Sequence, residues 1–258
     1  MGKVEIKNTT IGYHTGKHAT IVAEHISGSI GGGMLTCLIG SNGAGKSTLL
    51  KTLSGFIPPL KGSIIIDGED ISHYSPRQLS RNIGVVLTGR PAFINMTVAE
   101  LVALGRNPYT GFWGSLSDED KRVVDEALKL TGIEALKSRN ISMLSDGEFQ
   151  RAIIAKAVAQ DTSVVLLDEP TSFLDFTSKV SIMRTLRKIA HATGNVAFLS
   201  THDVSLALQL ADQIWLMLPG SDIAIGTPQA LAANGSLSLF LDKDGIEFDP
   251  KTLTMRVR

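Results

Sequence analysis

The stretch Gly40-Ser41-Asn42-Gly43-Ala44-Gly45-Lys46-Ser47-Thr48 carries the residue types and spacing of a phosphate-binding loop, G-x-x-x-x-G-K-[ST]. Its three glycines let the backbone curl tightly, so that successive N–H groups and a helix N-terminus converge on polyphosphate oxygens. In that chemistry Lys46 reaches the outer phosphates and the Ser47 hydroxyl binds Mg²⁺. The loop lies between an apolar run, Leu35 to Ile39, and a helix-like segment, Leu49 to Leu53. Strand, loop, helix is the order in which this motif binds nucleotide; a glycine turn that merely precedes a helix is the bland alternative.

A second cluster follows. Val164-Val165-Leu166-Leu167-Asp168-Glu169-Pro170 is an apolar strand ending in two acids. Asp168 can hold the Mg²⁺ shell while Glu169 polarises a water toward a terminal phosphate, although strands also end in acidic turns for no catalytic reason. Just upstream, Ser145 and Glu148 form a capping box that starts a helix running to about Ala159. His202 stands after the strand that ends at Ser200, with Asp203 beside it as a helix cap.

These groups need a frame. Residues 1 to 39 break at Gly12, Gly16, Gly28 and Gly31-Gly32-Gly33, which predicts short antiparallel strands. Ser63 to Gly68 reads as a strand entering a tight turn, and Gly84 to Leu87 as a short buried strand. From Val98 to about Leu136 the apolar spacing turns helical, an inserted helical segment. Inside it, Ser117-Asp118-Glu119-Asp120 reads as a capping box with a solvated acidic first turn, not a metal site. Val164 to Leu167 and Val196 to Ser200 each follow a helical stretch, as parallel strands of an α/β sheet do, and active groups collect at the C-terminal ends of such strands. Beyond them lie a strand at Ile223 to Gly226, a helix at Pro228 to Ala233, and a terminal hairpin over Ile246 to Lys251 and Leu253 to Val257.

Composition narrows the class. At 258 residues and 43% hydrophobic, the chain can bury a substantial core as one large α/β domain or two small ones. Twenty-five Lys+Arg balance twenty-five Asp+Glu, so the basic footprint of a nucleic-acid binder is missing and no nucleic-acid partner is expected. The single Cys37 reads as a small buried hydrophobe in a reduced compartment. The first residues lack the apolar run of a signal peptide and the pattern for myristoylation, and no segment is long enough to span a bilayer. A role at a membrane would need other chains to supply the spans.

Together the loop, Val164 to Pro170 and Leu144-Ser145-Asp146-Gly147-Glu148-Phe149-Gln150-Arg151 resemble the ATPase subunits of ABC transporters over nearly the whole chain. The resemblance implies a P-loop NTPase fold with a mostly parallel core sheet, an N-terminal antiparallel β-subdomain and a helical subdomain at about 90–145. All of it forms a single domain, 1–258, with 236–258 a short extension. It implies ATP and Mg²⁺, a homodimer, and Leu144 to Arg151 as the signature segment, with Ser145 and the Gly147 N–H capping the terminal phosphate of the partner's ATP. Tyr13 resembles the aromatic that stacks on adenine, though a half-buried strand tyrosine explains it almost equally. Ser172-Phe173-Leu174-Asp175 resembles the D-loop that links the two sites, Asp175 being its nucleotide-side acid, and His202 the switch histidine.

Two positions depart from the family pattern. Asp146 replaces the usual glycine, so its carboxylate must point away from phosphate. Counting back from Thr97-Val98-Ala99-Glu100-Leu101, the residue where the family carries a glutamine facing Mg²⁺ and the attacking water is Thr88, and Gln78 lies too far upstream to substitute. The Thr88 hydroxyl could still bind water or Mg²⁺, with shorter reach. Gly105 to Gly111 resembles the corresponding segment of importers for ferric siderophores, haem or cobalamin. The resemblance thus implies polytopic permease subunits, a periplasmic or extracellular substrate-binding protein, and a place on the cytoplasmic face of the membrane. A soluble ABC ATPase scaffold, as in iron–sulphur cluster assembly, is the alternative. A chromosome-type clamp lacks its long heptads here, and a simple P-loop phosphotransferase would leave Leu144 to Arg151 without a role.

Overall fold

Apolar residues that alternate along the first forty positions turn Val4, Ile6, Ile26 and Ile30 inward from two long strands, β1 (Lys3–Thr15) and β2 (His18–Gly31). The computed structural model describes residues 2–16, 18–87, 95–111, 114–218, 223–243 and 245–257. The expectation of short strands fails here. Gly16 and Gly32-Gly33 do stand at the turns after β1 and β2, but Gly12 and Gly28 do not break the ladder; they lie within a pairing that runs from Lys3↔Gly31 to Thr15↔His18 and absorbs its register shifts between Ile6 and Gly12. Gly12 is required by proximity, because a Cβ there would collide with the Thr20 carbonyl oxygen.

β3 (Met34–Gly40) leads into the glycine loop and α1 (Lys46–Leu53). β4 (Lys61–Ile66) turns through Asp67 and Gly68, both at positive φ, into β5 (Glu69–Asp70). α2 (Pro76–Asn82) is started by a Ser75–Gln78 capping box and runs into β6 (Ile83–Val86). Gln78 thus spends its side chain on its own helix start.

The helical segment comprises α3 (Val98–Ala103) and α4 (Asp118–Leu130), each opened by a capping box, and packs on α5 (Asp146–Ala159). One expectation is corrected here. Asp118 and Glu119 are solvated, but Asp120 is buried: it accepts from the Ser117 amide and hydroxyl and from Arg106 Nε at 2.8 Å. Arg106 also donates to the Ala159 carbonyl and lies 4.0 Å from the centre of the Tyr109 ring. A buried ion pair, not a wet helix start, therefore ties α4 to the end of α5. Arg106 and Tyr109 of the Gly105 to Gly111 segment are the residues that make this tie.

β7 (Val164–Asp168), α6 (Phe176–Thr193), β8 (Val196–Ser200) and α7 (Val204–Leu210) follow the expected alternation. β9 (Gln213–Met217) was not foreseen; β10 (Ala224–Gly226), α8 (Pro228–Ala233), α9 (Ser236–Leu241) and the hairpin β11 (Ile246–Asp249) and β12 (Thr254–Val257) complete the described chain. The main sheet has the order β10-β9-β3-β8-β7-β6, parallel except for β10. The second sheet, β2-β1-β4-β5, is antiparallel.

Alternation along the central strands divides the interior. Leu35, Cys37, Ile39 and Leu167 face α6 to α9, while Leu38, Val164 and Leu166 face α1 and the antiparallel sheet. Burial holds the Cys37 thiol well above its ordinary range, so it is inert packing. On α5, Ile154 and Ala157 pack toward the main core and Phe149, Ala152, Ala155 and Ala159 toward α3 and α4, so this helix joins the two.

Candidate nucleotide site

Parallel pairing brings the C-terminal ends of β3, β8 and β7 side by side, with Leu38 opposite Ser200 and Ser200 opposite Asp168. The glycine loop leaves β3 at this edge. Gly43 and Gly45 take φ of 79° and 102°, conformations that L side chains avoid, and Gly45 serves as the N-cap of α1 without any side-chain cap. The first α1 amides are therefore left to meet an anion.

Lys46 is 6% exposed, and its Nζ donates to the carbonyls of Gly40 at 2.9 Å and Ser41 at 3.1 Å. Burial pushes its pKa down, and the nearby Glu169 and Asp168 carboxylates push back. An ammonium held this way is neutralised best by phosphate oxygens. Ser41 Oγ, in the same loop, is buried with no hydrogen-bond partner among the described residues. A buried hydroxyl left so is a costly feature that a polar ligand would satisfy.

Asp168 Oδ1 receives two hydroxyls, from Ser47 at 3.1 Å and from Ser200 at 2.7 Å. Ser200 Oγ in turn accepts from the Glu169 amide at 2.9 Å. One hydroxyl and one carboxylate converging beside a phosphate loop suit Mg²⁺, a hard cation that takes few protein oxygens and completes its shell with phosphate and water. No cluster of three or more His, Cys, Asp or Glu side chains fit to hold a metal occurs among the described residues.

Glu169 sits at φ 47°, a strained value for a residue with a side chain. Its carboxylate is held at both ends: Oε1 lies 2.5 Å from His202 Nε2, and Oε2 accepts from Ser172 Oγ at 2.8 Å. Asp203 caps α7 as expected, accepting from the Leu206 amide, and pairs with Lys179 at 3.2 Å. The Tyr13 hydroxyl lies 2.9 Å from Thr48 Oγ1, and the side chain is 39% exposed at the loop's edge.

The structure thus assembles Gly40 to Thr48, Asp168, Glu169 and His202 into one group. Tyr13 touches this group through Thr48, whereas Ser145, Gly147 and Asp175 are engaged elsewhere. Ser145 closes a capping box with Glu148, and Gly147 packs so closely on α6 that a Cβ would reach Ser178 Oγ at 2.9 Å. Asp175 caps α6, accepting from the Ser178 amide and from two hydroxyls, which hold its carboxyl well below the usual range. Thr88 lies outside the described residues. Ser200 is the residue that sequence reasoning passed over: it was seen only as a strand end, and its register opposite Asp168 appears only in the sheet.

The family model described as ABC transporter matches residues 23–172 of this chain. The chain belongs to the ABC transporter family. An uncharacterized ABC transporter ATP-binding protein of Methanocaldococcus jannaschii is 40% identical over 226 residues, covering 88% of this chain and 77% of its own length. The ferric enterobactin transport ATP-binding protein of Escherichia coli is 36% identical, covering 86% of this chain and 80% of its own length. Among solved structures, a bacterial ABC transporter cassette described as dimeric superposes with a TM-score of 0.73 at 26% identity, over 87% of this chain and 98% of that one. The fold expected from the resemblance, a parallel P-loop core with an antiparallel sheet and helices, is the ABC cassette fold. The chain is an ABC ATPase, an ATP hydrolase coupled to transport, and no described helix is long and apolar enough to cross a membrane.

Proposed function

We propose that two copies of this ABC ATPase, arranged head to tail, bind and hydrolyse ATP at two shared sites and so drive import of a metal chelate through polytopic permease subunits. The cargo class is a ferric siderophore, haem or cobalamin, delivered by a periplasmic or extracellular binding protein. The observation that carries this reading is a division within one chain. Lys46, Asp168, Glu169 and His202 converge, whereas the Ser145–Glu148 capping box stands on α5, engaged with its own helix. A second copy supplies what one copy lacks. The ferric enterobactin relative supports the cargo class.

In each site the loop amides and Lys46 hold the phosphates, and Ser145 and the Gly147 amide of the second copy close over the terminal one. Ser47 and Asp168 hold Mg²⁺, which supplies neutralisation of phosphate charge. Glu169 orients and deprotonates the attacking water while His202 holds the carboxylate in place and reaches the terminal phosphate. Tyr13 offers its ring to adenine, Thr88 stands in for the family's glutamine, and Asp175 fixes the D-loop. The segment at about 90–145 is the helical subdomain that holds the permease at the cytoplasmic face of the membrane, and 236–258 is a short extension of the single domain.

The test is isolation of the tagged chain from membranes of its own cells. Co-purification of a polytopic membrane protein that raises its MgATPase rate is expected. A water-soluble partner in its place would favour the scaffold reading and overturn the importer.

A further inference from the structure

Ser200 is fully buried at the last matched pair of β7 and β8, opposite Asp168. Just beyond that pair Glu169 turns to φ 47°, and its amide donates to Ser200 Oγ at 2.9 Å. An amide has one proton to give and no lone pair to offer, so Ser200 must accept in that bond. Its own proton is then left for Asp168 Oδ1, 2.7 Å away. The direction of both bonds is therefore fixed, from the Glu169 amide through the Ser200 hydroxyl to the Asp168 carboxylate.

A side chain that only filled this space would be apolar, because a hydroxyl in the core costs free energy unless its donor and acceptor are both satisfied. Here both are satisfied, and both by the two acids. Bonds linked in this way polarise one another, so the donor that reaches Asp168 is the stronger for being engaged by Glu169. Asp168 Oδ1 also takes the Ser47 hydroxyl at 3.1 Å, so the carboxylate is shared between α1 and β8. Two residues past Ser200, His202 Nε2 meets Glu169 Oε1. The end of β8 and the loop it enters thus grip Glu169 at its amide and at its carboxylate, across a backbone conformation that an L side chain holds only under restraint.

We propose that Ser200 is a positioning residue whose hydroxyl fixes the carboxylate of Asp168 relative to the base Glu169, so that one side chain sets both the affinity for the divalent cation and the rate of hydrolysis. This rests on the roles given to the two acids in the proposed function. Ser200, being buried, acts through the acids and not on the nucleotide. Without its hydroxyl the Glu169 amide loses its acceptor in a strained turn, and Asp168 loses a donor. The same deletion therefore loosens the cation site and the base together, while the phosphate loop and Lys46 keep their geometry.

The test compares full-length Ser200→Ala, Ser200→Thr and Asp168→Ala with the parent. Mn²⁺ is the probe, its dissociation from the complex of protein and a non-hydrolysable ATP analogue being read by paramagnetic resonance. Ser200→Ala should raise that dissociation constant about 10-fold and lower kcat about 10-fold, as one lost hydrogen bond to a charged group predicts. ATP affinity in EDTA and KM for MgATP at saturating metal should stay near the parental values. Ser200→Thr keeps the hydroxyl on a strand position suited to β-branching and should recover most of both losses. Should Ala unsettle the core in a thermal melt, Ser200→Cys fills the space with a weak donor and should show the same two losses. Parental Mn²⁺ affinity or parental kcat in the folded variant, while Asp168→Ala loses Mn²⁺, would overturn the positioning role and leave the assignment of the acids intact. Parental Mn²⁺ affinity in Asp168→Ala would overturn that assignment and this inference with it.

Discussion

Glu169 Oε1 and His202 Nε2 meet at 2.5 Å across the ends of two neighbouring parallel strands. In the function proposed above, this contact orients the carboxylate that takes a proton from water and sets the imidazole toward the terminal phosphate. Glu169→Gln keeps the shape and removes the base, so the MgATPase rate should fall by roughly 10²- to 10⁴-fold with ATP affinity retained. Single-turnover hydrolysis beside equilibrium binding separates the two. A variant that turns over at the parental rate would remove Glu169 from the chemistry.

Lys46 is buried against its own loop carbonyls, and the phosphates of a nucleotide compete for its protons. Lys46→Ala should therefore lose most ATP binding, and with it hydrolysis, while α1 keeps its place through Leu49, Leu50 and Leu53. Titration calorimetry with ATP, alongside a thermal melt of the nucleotide-free protein, reads both. Normal affinity would sink the assignment of the loop.

The Arg106–Asp120 pair is a stability element with a definite pH signature. The hydroxyl of Ser117 first and Arg106 second lower the Asp120 carboxyl from an ordinary 3.8 to about 2. A carboxylate whose folded pKa is depressed contributes stability above its unfolded pKa and loses that contribution as the pH falls toward the folded value. The stability gap between parent and Asp120→Asn should therefore be full at neutral pH and close as the pH drops from 3.8 toward about 2. Arg106→Met, which strands the buried carboxylate, should cost about 3–5 kcal/mol. Denaturant melts across this range check the sign; a gap that widens in acid would be the wrong one.

Thr88→Val keeps the β-branched shape and deletes a hydroxyl. If that hydroxyl replaces the family's glutamine amide, ATP binding should survive and hydrolysis should fall by about 0.5–1.5 kcal/mol in activation free energy. The loss should be plainest in the presence of the permease. Equal rates for parent and variant, with and without the permease, would show that Thr88 only fills space.

Much of the site was legible because its parts are contiguous in the chain. The glycine loop, the paired acids after an apolar strand and the histidine after another are local patterns with local physical reasons. What was not legible depends on register and long-range pairing. Ser200 donates to the Asp168 carboxylate and accepts from the Glu169 amide only because β8 lies between β3 and β7. Asp120 looked solvated because its partner Arg106 precedes it by fourteen residues and meets it only after α4 folds back. β9 went unseen because Gln213–Met217 owes its strand to parallel pairing with β3 and carries no turn signal of its own. The glycines of β1 and β2 read as breaks because their role, room for a neighbouring chain, is visible only once that neighbour is placed.

The central claim, that each hydrolytic site is built from the phosphate loop of one copy and the Leu144 to Arg151 segment of the other, is tested most directly by complementation. Ser145→Arg puts bulk and charge where the partner's terminal phosphate must lie, and Lys46→Ala disables the loop, so each variant alone should be inactive. In a mixed dimer of the two, one composite site carries neither change. Mixing the purified variants, with subunit exchange verified by their tags, should restore MgATPase activity well above that of either alone; exchange without any restored activity would contradict the head-to-tail account.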